Sequence, residues 1–141
     1  MTKSAANDIL DPVVEGLLTP PPGHGPEDAY EIKLSSGVVL KARWIMSAGL
    51  AYRLSEQVDN RTKLVHLGTP FTCKVGGETL ELKPSDGVIM SATMIEQLIV
   101  EPKISFAQAL VMAERNFPVF MEISNAIGKQ GEEEVEAAKK D

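Results

Sequence analysis

The sequence predicts an α+β domain in which two β-hairpins form a small antiparallel sheet that packs against about four helices. Two observations indicate this class. Apolar and polar residues alternate on both sides of two glycine-containing turns, the pattern of β-hairpins. The C-terminal half instead carries apolar residues three and four positions apart, the spacing of one-faced helices. The length of 141 residues suits one such domain with an extended segment at each end.

The N-terminal residues 1–29 are predicted to form an extended, proline-rich arm. Residues 19–26 are rich in proline and glycine, so they cannot sustain a helix or a strand ladder. A short helical turn is possible at residues 12–18, because Val13, Val14, Leu17 and Leu18 would share one face. Such an apolar segment in a polar arm often docks on a partner, and the alternative is a loosely ordered terminus.

A single domain is predicted at residues 30–128, and it begins with a hairpin at residues 30–44. The turn of this hairpin is Ser35-Ser36-Gly37. A helix is predicted at residues 46–58, with Ser47 as a plausible N-cap and Asp59–Asn60 as its end. The connector that follows, residues 62–70, could hold a short strand at residues 64–67. A second hairpin at residues 71–82 turns at Gly76–Gly77, which readily takes positive φ.

Three helices complete the predicted domain, at residues 88–100, 105–116 and 118–128. Pro102 ends the first, because the residue before a proline leaves helical geometry. Ser105 and Gln108 have the capping-box spacing that starts the second. Pro118 suits the first turn of the third, and Gly128 is a good C-terminal stop. Residues 129–141 are then predicted to be a charged tail, either frayed helix or disordered.

The predicted core consists of apolar residues on the inward faces of these elements. It comprises Ile32, Leu40, Trp44, Leu50, Leu54, Ile95, Leu98, Phe106, Leu110, Phe120 and Ile123.

No residue pattern indicates catalysis, a metal site or a cofactor. His24 and His66 have no His or Cys at metal-ligand spacing, so each is expected to be a loop or surface residue. Cys73 is the one cysteine and is expected to be a small buried residue. Neither a phosphate-binding glycine loop nor a nucleophile-elbow serine is present in the sequence. We therefore expect a protein that is not an enzyme.

Charge and hydropathy restrict the partners and the location. The net charge of −6 argues against nucleic acid or an anionic membrane as the main partner. The N-terminus does not resemble a signal peptide, and no apolar run approaches the length of a membrane span. We expect an intracellular protein whose partners are proteins with neutral or basic surfaces.

Three stretches carry a family resemblance. Residues 30–43, YEIKLSSGVVLKAR, form a strand, a glycine turn and a basic strand. Residues 98–105, LIVEPKIS, contain a valine–acidic–proline step between helices, and residues 121–128, MEISNAIG, contain a Glu-Ile-x-x-x-Ile pattern in a terminal helix. With these stretches, over about residues 30–128, the chain resembles the tail assembly chaperones of long-tailed bacteriophages.

The resemblance implies a non-enzymatic chaperone that acts in the host cytoplasm. Members of the family bind the tape-measure protein during tail morphogenesis and keep it competent while tail-tube subunits polymerise around it. Recognition would place amphipathic helices of the partner in an apolar strip on the helices at residues 88–100 and 105–116. Methionine suits such a strip, because its flexible thioether accepts many sequences, although methionines also fill gaps in cores. The expected partner-binding residues are Met90, Met94, Ile95, Leu98, Leu110, Met112 and Met121.

Other interpretations stay open. The same strands would suit a structural component of the virion tail, neck or baseplate, whose partners would be tail-tube or baseplate subunits or further copies of itself. The proline-rich arm favours this alternative, since extended arms commonly cross onto neighbouring subunits. An unrelated enzyme or ligand-binding domain would need a closed polar pocket with a perturbed ionisable group.

Overall fold

The computed structural model describes residues 11–140, and their side chains as far as Lys129. Five helices and five strands lie within this part of the chain, which confirms the predicted α+β class. In chain order they are α1 (Pro12–Leu17), β1 (Tyr30–Lys33), β2 (Val39–Ala42), α2 (Ala48–His66), β3 (Phe71–Val75), β4 (Glu78–Leu82), α3 (Asp86–Leu98), β5 (Ile99–Glu101), α4 (Phe106–Arg115) and α5 (Phe117–Lys140). The first ten residues of the predicted arm, and Asp141, lie outside the described residues.

The strands form two antiparallel sheets, of which the first has the order β1-β2-β5 and the second contains β3 and β4. Strand β5 follows α3 directly and pairs with the free edge of β2, where Lys41 lies opposite Glu101. Their side chains form an exposed ion pair of 3.3 Å. The two hairpins, placed in one sheet by the sequence, therefore belong to separate sheets, and β5 forms the third strand of the first one.

Both hairpin turns are where the sequence places them. Gly37 has φ +96°, and Gly76 and Gly77 have φ +55° and +86°. These are left-handed conformations that residues with a Cβ rarely adopt. Two successive residues with positive φ match the right-handed twist of the flanking strands, so Gly76–Gly77 closes β3 onto β4 in a tight turn.

Helix α2 starts as predicted but ends later. The Ser47 hydroxyl accepts a hydrogen bond from the Leu50 amide, as an N-cap should. The helix then continues through Asp59 and Asn60 to His66, so the predicted end and the short strand at residues 64–67 are both wrong. Asp and Asn have only modestly lower helix propensity than other residues, and tertiary contacts readily override that preference.

Long-range contacts explain the extra turns of α2. The Arg61 guanidinium donates hydrogen bonds to Thr93 Oγ1 at 3.1 Å and to Glu96 Oε1 at 2.9 Å. It also lies 3.8 Å from the centroid of the Phe106 ring. The helix ends only at Gly68, which has φ +87° and forms a Schellman motif with the preceding turn.

The C-terminal helices follow the predicted order. The capping box of α4 is confirmed, since the Gln108 amide donates to Ser105 Oγ at 3.1 Å and the Ser105 amide donates to Gln108 Oε1 at 2.9 Å. The predicted stop at Gly128 is wrong, because α5 continues to Lys140. A glycine inside a helix costs only about 1 kcal/mol relative to alanine, and the residues after it are mostly good helix formers.

The core lies around α3, which contacts α2, α4 and α5. All of the predicted core residues except Trp44 are buried. Phe71 and Phe106 meet edge to face at 5.2 Å and join the second sheet to α4. Glu122 of α5 accepts hydrogen bonds from the Ser35 amide and hydroxyl, at 2.7 Å and 3.1 Å, and so joins the first hairpin turn to the helices.

Candidate functional site

A groove of about 560 Å³ lies where the first sheet, α3, α5 and the N-terminal arm meet. We call it the Trp44 groove and define it by its lining residues. They are Pro21 and His24 from the arm, Tyr30, Arg43, Trp44, Ile45 and Met46 from the sheet and the segment after it, Met90, Ser91, Met94 and Leu98 from α3, and Ser124, Ile127 and Gly128 from α5.

Trp44 forms one wall of the groove. Two hydrogen bonds hold the preceding residue against α3: the Arg43 amide donates to the Leu98 carbonyl at 2.8 Å, and the side-chain Nε of Arg43 donates to the Gln97 carbonyl at 3.0 Å. The Trp44 ring then lies 4.1 Å from the His24 ring and 4.9 Å from the Tyr30 ring, tilted in both cases. Three aromatic rings therefore form a continuous surface that also fastens the arm to the sheet.

Helices α3 and α5 form the opposite wall. Met90, Met94 and Leu98 recur every four residues, so they lie along one face of α3. The hydroxyl oxygens of Ser91 and Ser124 are 2.9 Å apart and connect this face to α5. Met90 is 54% exposed, whereas Leu98 is only 2% exposed. The groove thus has the accessible thioether of Met90 above a packed apolar base.

The groove is open and mostly apolar. Ile45 and Met46 at its mouth are 40% and 37% exposed. None of the described lining residues is an Asp or a Glu, and the permanently charged one is Arg43. Burial raises the pKa of the Tyr30 hydroxyl above its ordinary value. The lining therefore suits apolar side chains and offers no paired carboxylates for acid–base chemistry.

The indole nitrogen of Trp44 stands out among these polar groups. Trp44 Nε1 is buried and has no hydrogen-bond partner among the described residues. A buried donor without a hydrogen-bond partner lowers the stability of the fold. Trp44 was predicted to belong to the core, but it is only half-buried, because the groove leaves one side of the segment after β2 uncovered.

The structure brings together three of the seven predicted partner-binding residues, namely Met90, Met94 and Leu98. Ile95 and Leu110 are 0% and 2% exposed and belong to the core. Met112 and Met121 are partly buried, pack against the core and do not line the groove.

The predicted strip was to run along α3 and α4. The structure instead places the face of α3 beside α5 and opposite Trp44, and no described residue of α4 lines the groove. His24, Tyr30, Trp44 and Ile127 were not predicted as site residues. The exposed apolar pair Ile45–Met46, directly after a strand that ends in a tryptophan, was the available signal for them.

Two smaller clefts also lie on the described part of the chain. One of about 300 Å³ is lined by Leu110, Val88 and the half-exposed Phe117. The other, of about 460 Å³, is more polar and includes Glu96, Gln97 and Lys103. Among residues 11–129, no cluster of three or more His, Cys, Asp or Glu side chains has the geometry of a metal site. No helix in that part of the chain has both the length and the apolar character of a membrane span.

In comparisons with known proteins, no family model, no curated protein and no solved structure matches this chain.

Proposed function

We propose that this chain is a non-enzymatic assembly factor that binds the apolar face of a partner helix in the Trp44 groove. One observation carries the proposal. Met90, Met94 and Leu98, selected from the sequence as partner-binding residues, line an open apolar groove. The resemblance to tail assembly chaperones supplies the partner, the tape-measure protein, and the setting, the host cytoplasm during tail assembly.

Helix-in-groove recognition fits the chemistry of the lining. An amphipathic helix presents apolar side chains every three or four residues, and the face of α3 offers Met90, Met94 and Leu98 at the same spacing. The thioethers of Met90 and Met94 adjust to differently shaped side chains. A long helical client offers many non-identical segments of this kind, so adaptability matters more than a single tight fit.

The charge of the chain supports a solubilising role. An aggregation-prone helical protein stays in solution when its apolar faces are covered and the complex carries a large net charge. The chain contributes a net charge of −6 to such a complex. The Trp44 groove contributes the apolar surface that covers the client.

A structural virion component is the second candidate. The exposed apolar helix α1, at the end of the arm, favours it, because such arms commonly bind neighbouring subunits in assemblies. In this case the partners would be tail-tube or baseplate subunits and the protein would stay in the virion tail.

Co-expression with a tape-measure protein tests groove binding directly. We expect the wild-type chain to raise the soluble fraction of the tape-measure protein, and Met90→Glu to abolish most of this gain, because it places a carboxylate in the apolar groove. Leu67→Glu is the matched control, since Leu67 is 80% exposed and does not line the groove. If all three chains raise the soluble fraction of the tape-measure protein equally, the proposal that the Trp44 groove binds the client is overturned.

Mass spectrometry separates the two candidates. Purified phage particles and lysate of the infected source are compared for peptides of this chain. A chaperone that leaves after assembly is present in the lysate and absent from particles. A fixed copy number in particles would instead identify a structural tail or baseplate protein.

A further inference from the structure

Helix α1 presents an apolar face that the other described residues leave uncovered. Val13, Leu17 and Leu18 are 73%, 78% and 68% exposed, and α1 has no buried residue. The helix is nevertheless well formed. Asp11 caps it by accepting a hydrogen bond from the Val13 amide at 2.8 Å, and Thr19 Oγ1 donates to the Glu15 carbonyl at 2.9 Å. An ordered helix with an uncovered apolar face indicates a binding element.

The arm holds α1 beside the Trp44 groove. Pro21 and His24 line the groove, and the His24 ring lies on Trp44. Pro21 follows Leu17, the last residue of α1, by four positions, which span at most about 14 Å, so the end of α1 stays close to the groove. Of the described residues that line the groove, none belongs to α1. An apolar helix and an apolar groove thus lie near each other without being in contact.

The charges of the two surfaces are complementary. Residues 11–29 contain four carboxylates, on Asp11, Glu15, Glu27 and Asp28, and no Lys or Arg. The described lining of the groove has the reverse composition, with Arg43 present and no carboxylate. An acidic apolar segment is therefore a suitable occupant, because its charge is opposite to that of the groove lining and Val13 and Leu17, which share one face of α1, can enter the groove.

The connection makes a neighbouring copy the better acceptor. Pro20, Pro21 and Pro22 stiffen the arm directly after α1, since each proline fixes its φ. The His24 amide also donates to the Pro21 carbonyl at 3.0 Å, which orders the chain at the point where it joins the groove. Three successive prolines hinder the sharp reversal that α1 would need to enter its own groove, so the groove of a second molecule is the better acceptor.

We propose that α1 of one copy binds in the Trp44 groove of a second copy, and that the second copy returns the contact. Reciprocal exchange of identical arms gives a closed two-fold dimer with two equivalent interfaces. Because α1 and the client would use the same groove, the client must displace the arm. That regulatory part rests on the proposed function, whereas the self-docking part stands without it.

Sedimentation analysis of the full chain over a range of concentrations tests self-docking. We expect a wild-type dimer, and an increase of at least about tenfold in its dissociation constant for Val13→Asp/Leu17→Asp and for Met90→Glu, since each change places charge in an apolar contact. Leu67→Glu should dimerise like wild type. Urea unfolding of each variant verifies that the domain itself remains folded. A chain that stays monomeric throughout, or a dimer that the arm changes leave intact, would overturn the proposal.

A mixture of variants provides a second test. The arm variant Val13→Asp/Leu17→Asp retains an intact groove, and the groove variant Met90→Glu retains an intact arm. Together they should form a mixed dimer through one remaining interface, which sedimentation detects as association above that of either variant alone. Absence of such association would contradict exchange of the arm.

Disulfide trapping distinguishes a neighbouring groove from the chain's own groove. In Leu17→Cys/Met90→Cys, mild oxidation should yield covalent dimers on a non-reducing gel, while the native Cys73 is buried and 3% exposed. Only intrachain disulfides would show that α1 folds back, and would overturn exchange. Peptides from the tape-measure protein can then be added. Loss of the trapped dimer supports client displacement, and an unaffected dimer would reject that regulatory part while leaving self-docking intact.

Discussion

The imidazole ring of His24 lies 4.1 Å from the indole ring of Trp44, with an angle of 34° between the two planes. This contact joins two separate parts of the structure. Trp44 belongs to the folded domain and forms a wall of the groove, and His24 belongs to the arm that carries α1. The position of the arm therefore depends on the same ring that an occupant of the groove would touch.

Loss of this contact should release the arm. We expect His24→Ala to make residues 11–29 more sensitive to limited proteolysis and to lower the unfolding free energy by about 0.5–1.5 kcal/mol, the range of an aromatic pair. Trp44 is the one tryptophan of the chain, so its fluorescence reports the change. His66→Ala is the control, because its ion pair with Asp86 is largely exposed and contributes little. Equal protease sensitivity of both variants would contradict the role of His24.

Arg61 should stabilise the domain through its planar guanidinium and not merely through its charge. It bonds to Thr93 and Glu96 and lies over the Phe106 ring. Arg61→Lys keeps the charge but loses the forked geometry, so we expect a loss of about 1–3 kcal/mol in urea unfolding. The exposed Arg53→Lys should change stability by less than about 0.5 kcal/mol. Equal losses of unfolding free energy for Arg61→Lys and Arg53→Lys would show that the forked geometry of the Arg61 guanidinium does not contribute to stability.

Phe120 should be a principal residue of the core. Its side chain is 0% exposed, whereas Phe117, three residues earlier on α5, is 50% exposed. Phe120→Ala should cost about 3–5 kcal/mol of unfolding free energy, because it removes apolar burial and leaves a cavity. Phe117→Ala changes the same residue type in the same helix, and we expect a much smaller loss. A loss for Phe120→Ala no greater than for Phe117→Ala would disprove the described packing of α5.

Tyr30 should make stability decline at alkaline pH. Burial raises its pKa in the folded chain above the ordinary value of 10.0. Its contribution is therefore complete below about pH 10, where both states are protonated. Above that pH the unfolded chain loses the proton first, so the unfolding free energy falls until the folded group also ionises. In urea unfolding at increasing pH, the unfolding free energy of Tyr30→Phe should decline less steeply than that of the wild type. Equal slopes for the two chains would refute a raised pKa of Tyr30 in the folded state.

Local signals made parts of the fold predictable from the sequence. Ser105 with Gln108, Ser47 and Gly76–Gly77 each act within a few residues, and each forms the predicted cap or turn. The end of α2 was not predictable in this way. Its continuation depends on the contacts of Arg61 with Thr93, Glu96 and Phe106, which are distant in sequence, and no local pattern reports them.

Only the α3 wall of the candidate site was predictable from the sequence. On α3, Met90 and Met94 were predicted as groove residues because flexible thioethers suit a binding surface, and Leu98 because it belongs to the apolar face of that helix. The opposite wall depends on tertiary structure. Trp44 faces α3 because β5 pairs with β2 and the Arg43 backbone bonds to Leu98, and this pairing joins segments far apart in the sequence.

Photo-crosslinking from position 90 tests the central claim most directly. A photoreactive side chain replaces Met90 in the full chain, which is produced in infected cells, and the crosslinked products are identified by mass spectrometry. We expect crosslinks to the tape-measure protein, and none when the same group replaces Leu67, which is exposed outside the groove. Absence of the tape-measure protein from the products at position 90, or its equal capture from position 67, would contradict binding of the client in the Trp44 groove.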